Sequence, residues 1–212
     1  MTQDNQVARH IVSSLLNIGA IKLNLETPFT WASGWKSPIY CDNRLALSFP
    51  EIRNYIKQAL ASTVLRTFGG PEIIAGVATA GIPQGALVAD VMGLPFIYIR
   101  SKPKEHGLSN QIEGRVVEGQ KVVVIEDLVS TGGSSIKAVE AIREVGMHVI
   151  GMISIFTYGF DIAYENMRNA NISYVSLSDY NIMIEVAVEN AIIQEEQVDR
   201  LKAWREAPES WQ

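Results

Sequence analysis

Residues 122–135 read VVVIEDLVSTGGSS and are the most informative part of the sequence. Its β-branched apolar run is typical of a buried strand, and it leads into two adjacent acids, Glu126 and Asp127. A Ser/Thr/Gly loop and a helix-like segment follow. Because such a loop offers free backbone N–H groups beside the acids, it can hold a phosphate while the acids face sugar hydroxyls. The stretch therefore suggests a phosphorylated sugar as the ligand.

Short apolar runs alternate with helical segments along most of the chain. Strands are predicted over 73–78, 96–100, 121–126, 149–156 and 172–177. Helices are predicted over 5–18, 50–68, 81–92, 134–145 and 182–206. This order indicates an α/β fold with a mostly parallel sheet covered by helices on both faces. Ligands of such sheets bind at the carboxyl ends of the strands. The loops after Ala78, Arg100, Glu126 and Phe156 are therefore the ones that could carry chemistry.

Bulk properties indicate one soluble domain over residues 1–212. The chain is 47% apolar and 19% charged, which suits a globular core. Its net charge of -5, without a basic run, argues against nucleic-acid binding. Cys41 is the only cysteine, so no internal disulfide is possible. No signal peptide and no stretch of roughly 20 apolar residues is present, so a cytoplasmic location is expected.

The loop after the acid pair has the composition of an anion site. Successive N–H groups from Ser130 to Ser134 can converge on an anion, because Gly132 and Gly133 let the backbone approach closely. The alternative is a helix capped by Thr131 or Ser134 with exposed acids before it. That alternative does not explain two carboxylates directly after a buried strand. The loop is neither a Walker A motif nor a dinucleotide fingerprint.

A second polar loop follows the predicted strand that Arg100 closes. Residues 100–111 read RSKPKEHGLSNQ, in which Lys102, Lys104 and His106 alternate. Long polar loops inside compact domains are usually functional, and cations on such a loop can close over a diphosphate. A solvated, positively charged surface loop is an equally good interpretation of this segment taken alone.

Residues 33–44 read SGWKSPIYCDNR, a pattern too particular for a generic pair of strands. Together with the acid pair and the Arg100 loop, it resembles the orotate phosphoribosyltransferases, which belong to the type I phosphoribosyltransferase family. The resemblance covers almost the whole chain. It implies a central, mostly parallel sheet flanked by helices, with residues 20–48 forming a small N-terminal hood over the site of the base.

The resemblance also implies a reaction in pyrimidine biosynthesis. The 5-phosphoribosyl group would pass from phosphoribosyl pyrophosphate (PRPP) to orotate, giving orotidine 5′-monophosphate and diphosphate. Mg²⁺ would be the cofactor, held mainly by PRPP and water rather than by a dedicated ligand set. The enzyme would be a homodimer whose mobile loop, residues 101–112, reaches into the site of the partner subunit.

Site residues follow from the same resemblance. Glu126, Asp127, Lys104 and His106 would be catalytic. The diphosphate of PRPP would meet Arg100, Lys102, Lys104 and His106, with backbone contacts from Thr79 and Ala80. Ribose and 5′-phosphate would contact Glu126, Asp127, Leu128, Val129, Ser130, Thr131, Gly132, Gly133 and Ser134. Orotate would contact Ser130, Lys36 and Tyr40.

The chain departs from the family pattern at several positions. Many members have a Lys where Ala32 stands and an aromatic–Lys pair where Thr79 and Ala80 stand. Some have a Lys where Ser101 stands and an Arg near Tyr158. The contacts of those residues cannot be transferred to this chain. Lys36 and Lys102 are candidates to replace them.

Three alternative functions remain open at the level of sequence. The first is a phosphoribosyltransferase for another base, such as a purine, and the hood segment argues for orotate. The second is a PRPP-sensing regulator that binds nucleic acid, which the acidic net charge disfavours. The third is a general phosphate-binding α/β module, which leaves the Arg100 loop and the hood unexplained.

Overall fold

The computed structural model describes residues 5–31, 33–101 and 111–211. Its helices are α1 (Asn5–Asn17), α2 (Pro50–Phe68), α3 (Gly81–Met92), α4 (Gly133–Glu144), α5 (Asp161–Asn169), α6 (Tyr180–Glu189) and α7 (Val198–Glu206). Short 3₁₀ helices cover Asn43–Ser48 and Glu195–Gln197. The N-terminal strands are β1 (Ile21–Leu23), β2 (Phe29–Thr30), β3 (Lys36–Ser37) and β4 (Ile39–Cys41). The remaining strands are β5 (Ile73–Val77), β6 (Phe96–Ile99), β7 (Ile112–Glu113), β8 (Lys121–Val129), β9 (His148–Thr157) and β10 (Tyr174–Asp179).

The central sheet has the strand order β10-β9-β8-β5-β6-β7. Every neighbouring pair is parallel except β6 with β7, which is antiparallel. The chain leaves β5 toward β6 on one side and leaves β8 toward β9 on the other. Strand order therefore reverses between β5 and β8, and a crevice between diverging loops forms at such a point. The predicted mostly parallel α/β fold is confirmed.

Both faces of the sheet are buried, which explains the continuous apolar runs in its strands. In β8, Val123 and Ile125 belong to the hydrophobic cluster that includes side chains of α1, α2, α3, α6 and α7. Val122 and Val124 belong to the other cluster, which includes side chains of α4 and α5. A strand with only one buried face would alternate between apolar and polar residues instead.

Residues 20–48, the segment predicted to form the hood and called the hood below, contain two small antiparallel sheets, β1 with β4 and β2 with β3. The C-terminal helix α7 contacts it through Trp204, which is fully buried. The indole Nε1 of Trp204 donates to the carbonyl oxygen of Lys36 at 3.0 Å, and its ring meets that of Trp31 edge-on at 5.5 Å. The C-terminal helix α7 is therefore packed directly against the hood.

Several predicted bounds match the structure and others do not. Helices over 50–68 and 81–92 are confirmed to the residue. The single helix predicted over 182–206 is wrong, because Ala191 adopts a positive φ of 53° that ends the helical path and lets Ile193 enter the core. Helix α5 and strand β7 were not predicted. No helix in the described ranges is both long and apolar enough to cross a membrane.

Candidate active site

The acid pair lies in a part of β8 that is paired with β9 but not with β5. Pairing with β5 ends where Gly76 meets Ile125, whereas pairing with β9 continues to Val129. Glu126 and Asp127 therefore both belong to the strand, and the end predicted at residue 126 is three residues too early. The longer strand follows from β9, which itself extends to Thr157. The pair still lies at the carboxyl end of the sheet, at the point where strand order reverses.

Glycines bring the start of helix α3 against the acid pair. A Cβ atom added at Gly81 would lie 2.6 Å from the carbonyl oxygen of Ile125 and 3.5 Å from the Cα of Glu126. A Cβ at Gly76 would lie 2.6 Å from the carbonyl oxygen of Gly81. This close approach sets the turn of Thr79 and Ala80 beside the backbone of Glu126. In the first turn of α3 the Ile82 N–H donates to the Thr79 carbonyl oxygen at 3.3 Å and Pro83 has no N–H, so the backbone donors at this point are those of Thr79, Ala80 and Gly81. Such N–H groups can bind a diphosphate oxygen, which is the role predicted for this turn.

The two carboxyl groups are tightly coupled. Glu126 is only 6% exposed, and it accepts hydrogen bonds from Ser135 Oγ at 3.1 Å and from the Asp127 N–H at 3.2 Å. Burial, followed by the charge of Asp127, raises the pKa of Glu126 well above its ordinary value. Burial also raises the pKa of Asp127, and its hydrogen bond with Glu126 opposes that effect. A buried pair of this kind favours a ligand that brings donors or positive charge to it.

The loop from Ser130 to Gly133 has the backbone geometry of an anion site. Gly132 has a φ of +82° and is the N-cap of α4, with no side-chain hydrogen bond to the helix end. The alternative interpretation, in which Thr131 or Ser134 caps the helix, is therefore wrong. That interpretation also required exposed acids, whereas Glu126 is buried. Helix α5 supports the loop, because Asn166 Nδ2 donates to the carbonyl oxygen of Thr131 at 3.0 Å. The uncapped N–H groups at the start of α4 remain available to an anion.

A cleft of about 280 Å³ opens between the hood and the end of β8. It is lined by Thr30, Trp31, Tyr40, Cys41, Leu128, Ser130 and Tyr158. Two of the three residues predicted to contact the base, Tyr40 and Ser130, are among them. The third, Lys36, does not line the cleft, but its Nζ donates to Thr30 Oγ1 at 2.8 Å. Thr30 was not predicted, although its cross-strand pairing with Lys36 places the two side by side.

Asn43 lies within the pattern of residues 33–44, but the sequence predicted no role for it. It is fully buried, and its Nδ2 donates to the carbonyl oxygen of Asp127 at 2.8 Å. Its Oδ1 accepts from Cys41 Sγ at 3.4 Å. Burial, with the charges of Asp127 and Asp42, raises the pKa of the Cys41 thiol well above its ordinary value. Cys41 is therefore a protonated donor here and not an activated nucleophile.

Arg100 lies where the chain enters the segment predicted to meet the diphosphate. Its N–H donates to the carbonyl oxygen of Gln111 at 2.8 Å, and Gln111 Nε2 donates to the carbonyl oxygen of Arg100 at 2.7 Å. These bonds hold the two ends of the segment together. The guanidinium lies 3.8 Å from the carboxylate of Glu113 and is 37% exposed. Lys102, Lys104 and His106 lie outside the described residues.

The donor set at the site fits a magnesium ion that arrives with a phosphate ligand. Within residues 5–31, 33–101 and 111–211, no three or more His, Cys, Asp or Glu side chains form a metal-binding group. Glu126 and Asp127 supply carboxylates beside an anion loop, too few for a complete cage. Mg²⁺ commonly completes its octahedron with water and substrate phosphates, so this partial set is compatible with it.

Comparison with known proteins identifies the family. The profile described as phosphoribosyl transferase domain matches residues 48–188. An orotate phosphoribosyltransferase of Cytophaga hutchinsonii is 55% identical over 203 residues, which cover 96% of this chain and 97% of that protein. The chain belongs to the orotate phosphoribosyltransferase family.

Other members and solved structures agree with this assignment. An orotate phosphoribosyltransferase of Listeria innocua is 50% identical over 205 residues, covering 97% of this chain and 98% of that protein. The crystal structure of an orotate phosphoribosyltransferase from Aeropyrum pernix superposes with a TM-score of 0.75 at 26% identity, covering 87% of this chain and 99% of that one. That structure thus shares the overall fold of this chain.

Proposed function

We propose that the protein transfers the 5-phosphoribosyl group from PRPP to orotate, giving orotidine 5′-monophosphate and diphosphate in pyrimidine biosynthesis. One observation carries the proposal: the acid pair lies between an anion loop and a cleft under the hood. Family membership supports it, since the relatives at 50–55% identity carry the name orotate phosphoribosyltransferase. In this arrangement ribose lies at the acids, the 5′-phosphate at the loop and the base in the cleft.

Different residues of the site bind different parts of the two substrates. The backbone from Ser130 to Ser134 binds the 5′-phosphate through uncapped N–H groups. Glu126 and Asp127 accept hydrogen bonds from the ribose 2′- and 3′-hydroxyls. The turn of Thr79 and Ala80 offers backbone donors to the diphosphate. Tyr40 and Ser130, which line the cleft, contact the base.

Catalysis in this proposal is mainly electrostatic. The bond from C1 of ribose to a diphosphate oxygen breaks while a bond from C1 to a ring nitrogen of orotate forms, and that nitrogen gives up its proton to the departing diphosphate. Because bond breaking runs ahead of bond formation, positive charge develops on the ribosyl group. Carboxylates that are already buried and oriented stabilise that charge without having to reorganise. The buried pair is costly in the empty protein, and the developing cation relieves that cost. Mg²⁺ bound with PRPP would neutralise the leaving diphosphate.

We also propose that Lys36 recognises the carboxylate of orotate. None of the described residues lining the cleft is a cation, whereas Lys36 Nζ reaches the edge of the cleft through Thr30 Oγ1. Orotate carries a carboxylate that purine bases and uracil lack. A cation at this edge therefore selects orotate, and Lys36 can serve where many members use a Lys at the position of Ala32.

Replacing Lys36 with Met tests this role. We expect the KM for orotate to rise about 10- to 150-fold, because a charge-assisted hydrogen bond contributes about 1.5–3 kcal/mol. The KM for PRPP should stay unchanged. Lys22→Met is the matched control, since Lys22 is an exposed lysine on strand β1 of the same hood. Equal KM values for orotate in the two variants would remove Lys36 from the site.

The diphosphate contacts of Arg100, Lys102, Lys104 and His106 are proposed to come from the partner subunit of a homodimer. A mixture of inactive Lys104→Ala subunits with inactive Asp127→Asn subunits tests this directly. Sharing of the segment between subunits restores one competent site in each mixed dimer, so activity returns on mixing. If subunit exchange is demonstrated and activity does not return, the segment acts within its own subunit.

The reaction itself is tested by the loss of orotate absorbance in the presence of PRPP. We expect turnover that requires both PRPP and Mg²⁺ and stops when the metal is chelated. A panel with adenine, guanine, hypoxanthine and uracil in place of orotate tests the base. Turnover of a purine without turnover of orotate would overturn the proposal.

A further inference from the structure

We infer that Asn43 is a positioning residue that couples the hood to the ribose-binding end of β8. Its side chain holds the peptide unit between Asp127 and Leu128 in place. This inference rests on the proposed function, because it concerns the residues that face ribose and base in that reaction. Asn43 is fully buried and does not line the cleft, so it acts through Asp127 and Leu128.

The strand needs such a partner at this point. After Ile125, β8 no longer pairs with β5, although it remains paired with β9. Backbone groups that face away from β9 must find other hydrogen-bond partners. The carbonyl oxygen of Asp127 accepts from Asn43 Nδ2 at 2.8 Å. A side chain of the hood thus takes over part of the role that a neighbouring strand plays earlier along β8.

The orientation of the Asn43 amide is set from both ends. Its Nδ2 faces a carbonyl oxygen, and its Oδ1 accepts from Cys41 Sγ at 3.4 Å. The raised pKa of Cys41 keeps the thiol proton that this bond requires. The amide is fully buried, so water cannot replace either partner. On the neighbouring residue, the N–H of Asp42 donates to the carbonyl oxygen of Ala20 at 2.8 Å, which ties this segment to the rest of the hood.

The peptide held by Asn43 separates two functions. Asp127 precedes it and belongs to the acid pair, whereas Leu128 follows it and lines the cleft for the base. Cys41, which contacts the other end of the Asn43 amide, also lines that cleft. A base that contacts Leu128 or Cys41 in the cleft therefore contacts residues that are joined through the Asn43 amide to Asp127. Occupancy of the base cleft and alignment of Asp127 are linked through Asn43.

Two substitutions separate positioning from simple structural support. Asn43→Ala removes both hydrogen bonds, and Asn43→Asp keeps the size and the acceptor for Cys41 but can donate to Asp127 only while its carboxyl group is protonated. We expect kcat to fall about 10- to 100-fold in both, since displacing a catalytic group by about 1 Å can cost 100-fold. The KM values for orotate and PRPP should stay within about threefold, because the groups that bind them remain.

Ser178→Ala is the control for a buried polar side chain with a purely structural role. Ser178 is also fully buried, and its Oγ donates to the carbonyl oxygen of Ile155 at 2.7 Å, on β9. We expect this variant to lose stability in urea unfolding while its kcat per folded molecule stays that of the wild type. Rates are compared after the folded fraction of each variant is measured by circular dichroism.

The activity of the wild type tests the proposed function, whereas the kcat of the Asn43 variants tests the positioning role. A wild-type protein without orotate turnover overturns the proposed function. An active wild type with Asn43→Asp and Asn43→Ala variants within twofold of its kcat overturns the positioning role. If Asn43→Ala does not fold, the isosteric Asn43→Asp variant decides, and a kcat loss without a matching KM change supports the inference.

Discussion

At the scale of single residues, Glu126 shows how the site opposes the stability of the empty protein. The carboxyl group is buried, and both burial and the charge of Asp127 disfavour its ionised form. Because its folded pKa is raised, the folded state holds a proton that the unfolded chain releases. The contribution of Glu126 to stability is therefore greatest at low pH and is lost as the pH rises from its ordinary pKa of 4.5 toward the folded value.

Replacing Glu126 with Gln is expected to stabilise the protein at neutral pH and to lower turnover. The substitution removes a charge that burial disfavours, so the gain should be present at pH 8. It should shrink as the pH falls and vanish below pH 4.5, where the ordinary carboxyl is protonated in both states. Urea unfolding across this pH range measures the effect.

The control for that experiment is Glu140→Gln, a substitution at an exposed glutamate of helix α4. It should change the unfolding free energy little at any pH, because an exposed carboxylate loses no hydration on folding. A Glu126→Gln protein that is less stable than the wild type at pH 8 would contradict the burial argument. The hydrogen bond from Ser135 would then outweigh the cost of the buried charge.

At the scale of secondary-structure elements, the position of α3 depends on contacts that only glycine permits. Gly81 lies against the backbone of Ile125, and Gly76 lies against the backbone of Gly81. Neither neighbour is a flexible side chain that could turn away. The helix therefore approaches the sheet more closely than side chains allow, and this closeness sets its first turn beside Glu126.

A Gly81→Ala substitution should push α3 away from β8. Its Cβ would lie 2.6 Å from a carbonyl oxygen, and overpacking of this kind typically costs about 1–3 kcal/mol. Turnover should fall as well, because the Thr79–Ala80 turn moves with the helix. Thermal unfolding and the orotate assay measure the two effects.

Gly70→Ala is the comparison for this substitution. Nothing lies within 4 Å of a Cβ placed at Gly70, and its φ is not positive, so the added methyl group should be neutral or slightly stabilising. If Gly81→Ala unfolds at the same temperature as Gly70→Ala, the backbone of β8 relaxes easily, and the close approach is not what positions α3.

The elements also show where sequence patterns succeed and where they fail. Helices α2 and α3 have the predicted bounds because Pro50 and Gly93 mark a start and an end that local chemistry determines. Helix α5 was not predicted, because it is short and buries only Ala163 and Met167. Two buried residues are too few to give a clear helical periodicity of apolar positions. The end of β8 was misplaced because acids are poor strand formers, and pairing with β9 overrides that tendency.

At the scale of the whole molecule, the hood is held from the far end of the chain. Trp204 on α7 packs against Trp31, Tyr158 and Phe160. Its indole N–H donates a hydrogen bond to the carbonyl oxygen of Lys36. Trp31 and Tyr158 also line the cleft that is proposed to hold the base. The shape of the cleft therefore depends on a helix that contributes no residue to its lining.

Trp204→Phe should loosen the hood without unfolding the core. It keeps most of the aromatic packing and removes the indole donor to Lys36, so the KM for orotate should rise about threefold to tenfold, in line with the 0.5–1.5 kcal/mol of a typical hydrogen bond. The KM for PRPP should stay unchanged. Steady-state kinetics with each substrate varied in turn measures this difference.

Trp211→Phe serves as the reference variant, since Trp211 contacts Arg200 near the end of the chain and does not line the cleft. Its kinetic constants should match those of the wild type. An unchanged KM for orotate in Trp204→Phe would mean that the hood keeps its position through its own two small sheets.

The amino-acid sequence alone determined the α/β class, the mostly parallel sheet, the acid pair with its anion loop and the family. Each of these rests on patterns within a few residues: β-branched runs, helical spacing, and short motifs such as residues 126–134. Only the tertiary structure decided which distant residues complete the site. Asn43 meets Asp127 across 84 positions of the chain, and Trp204 meets Lys36 across 168. Local propensities cannot specify such contacts, because they arise when packed layers bring segments together and leave buried polar groups that must find partners.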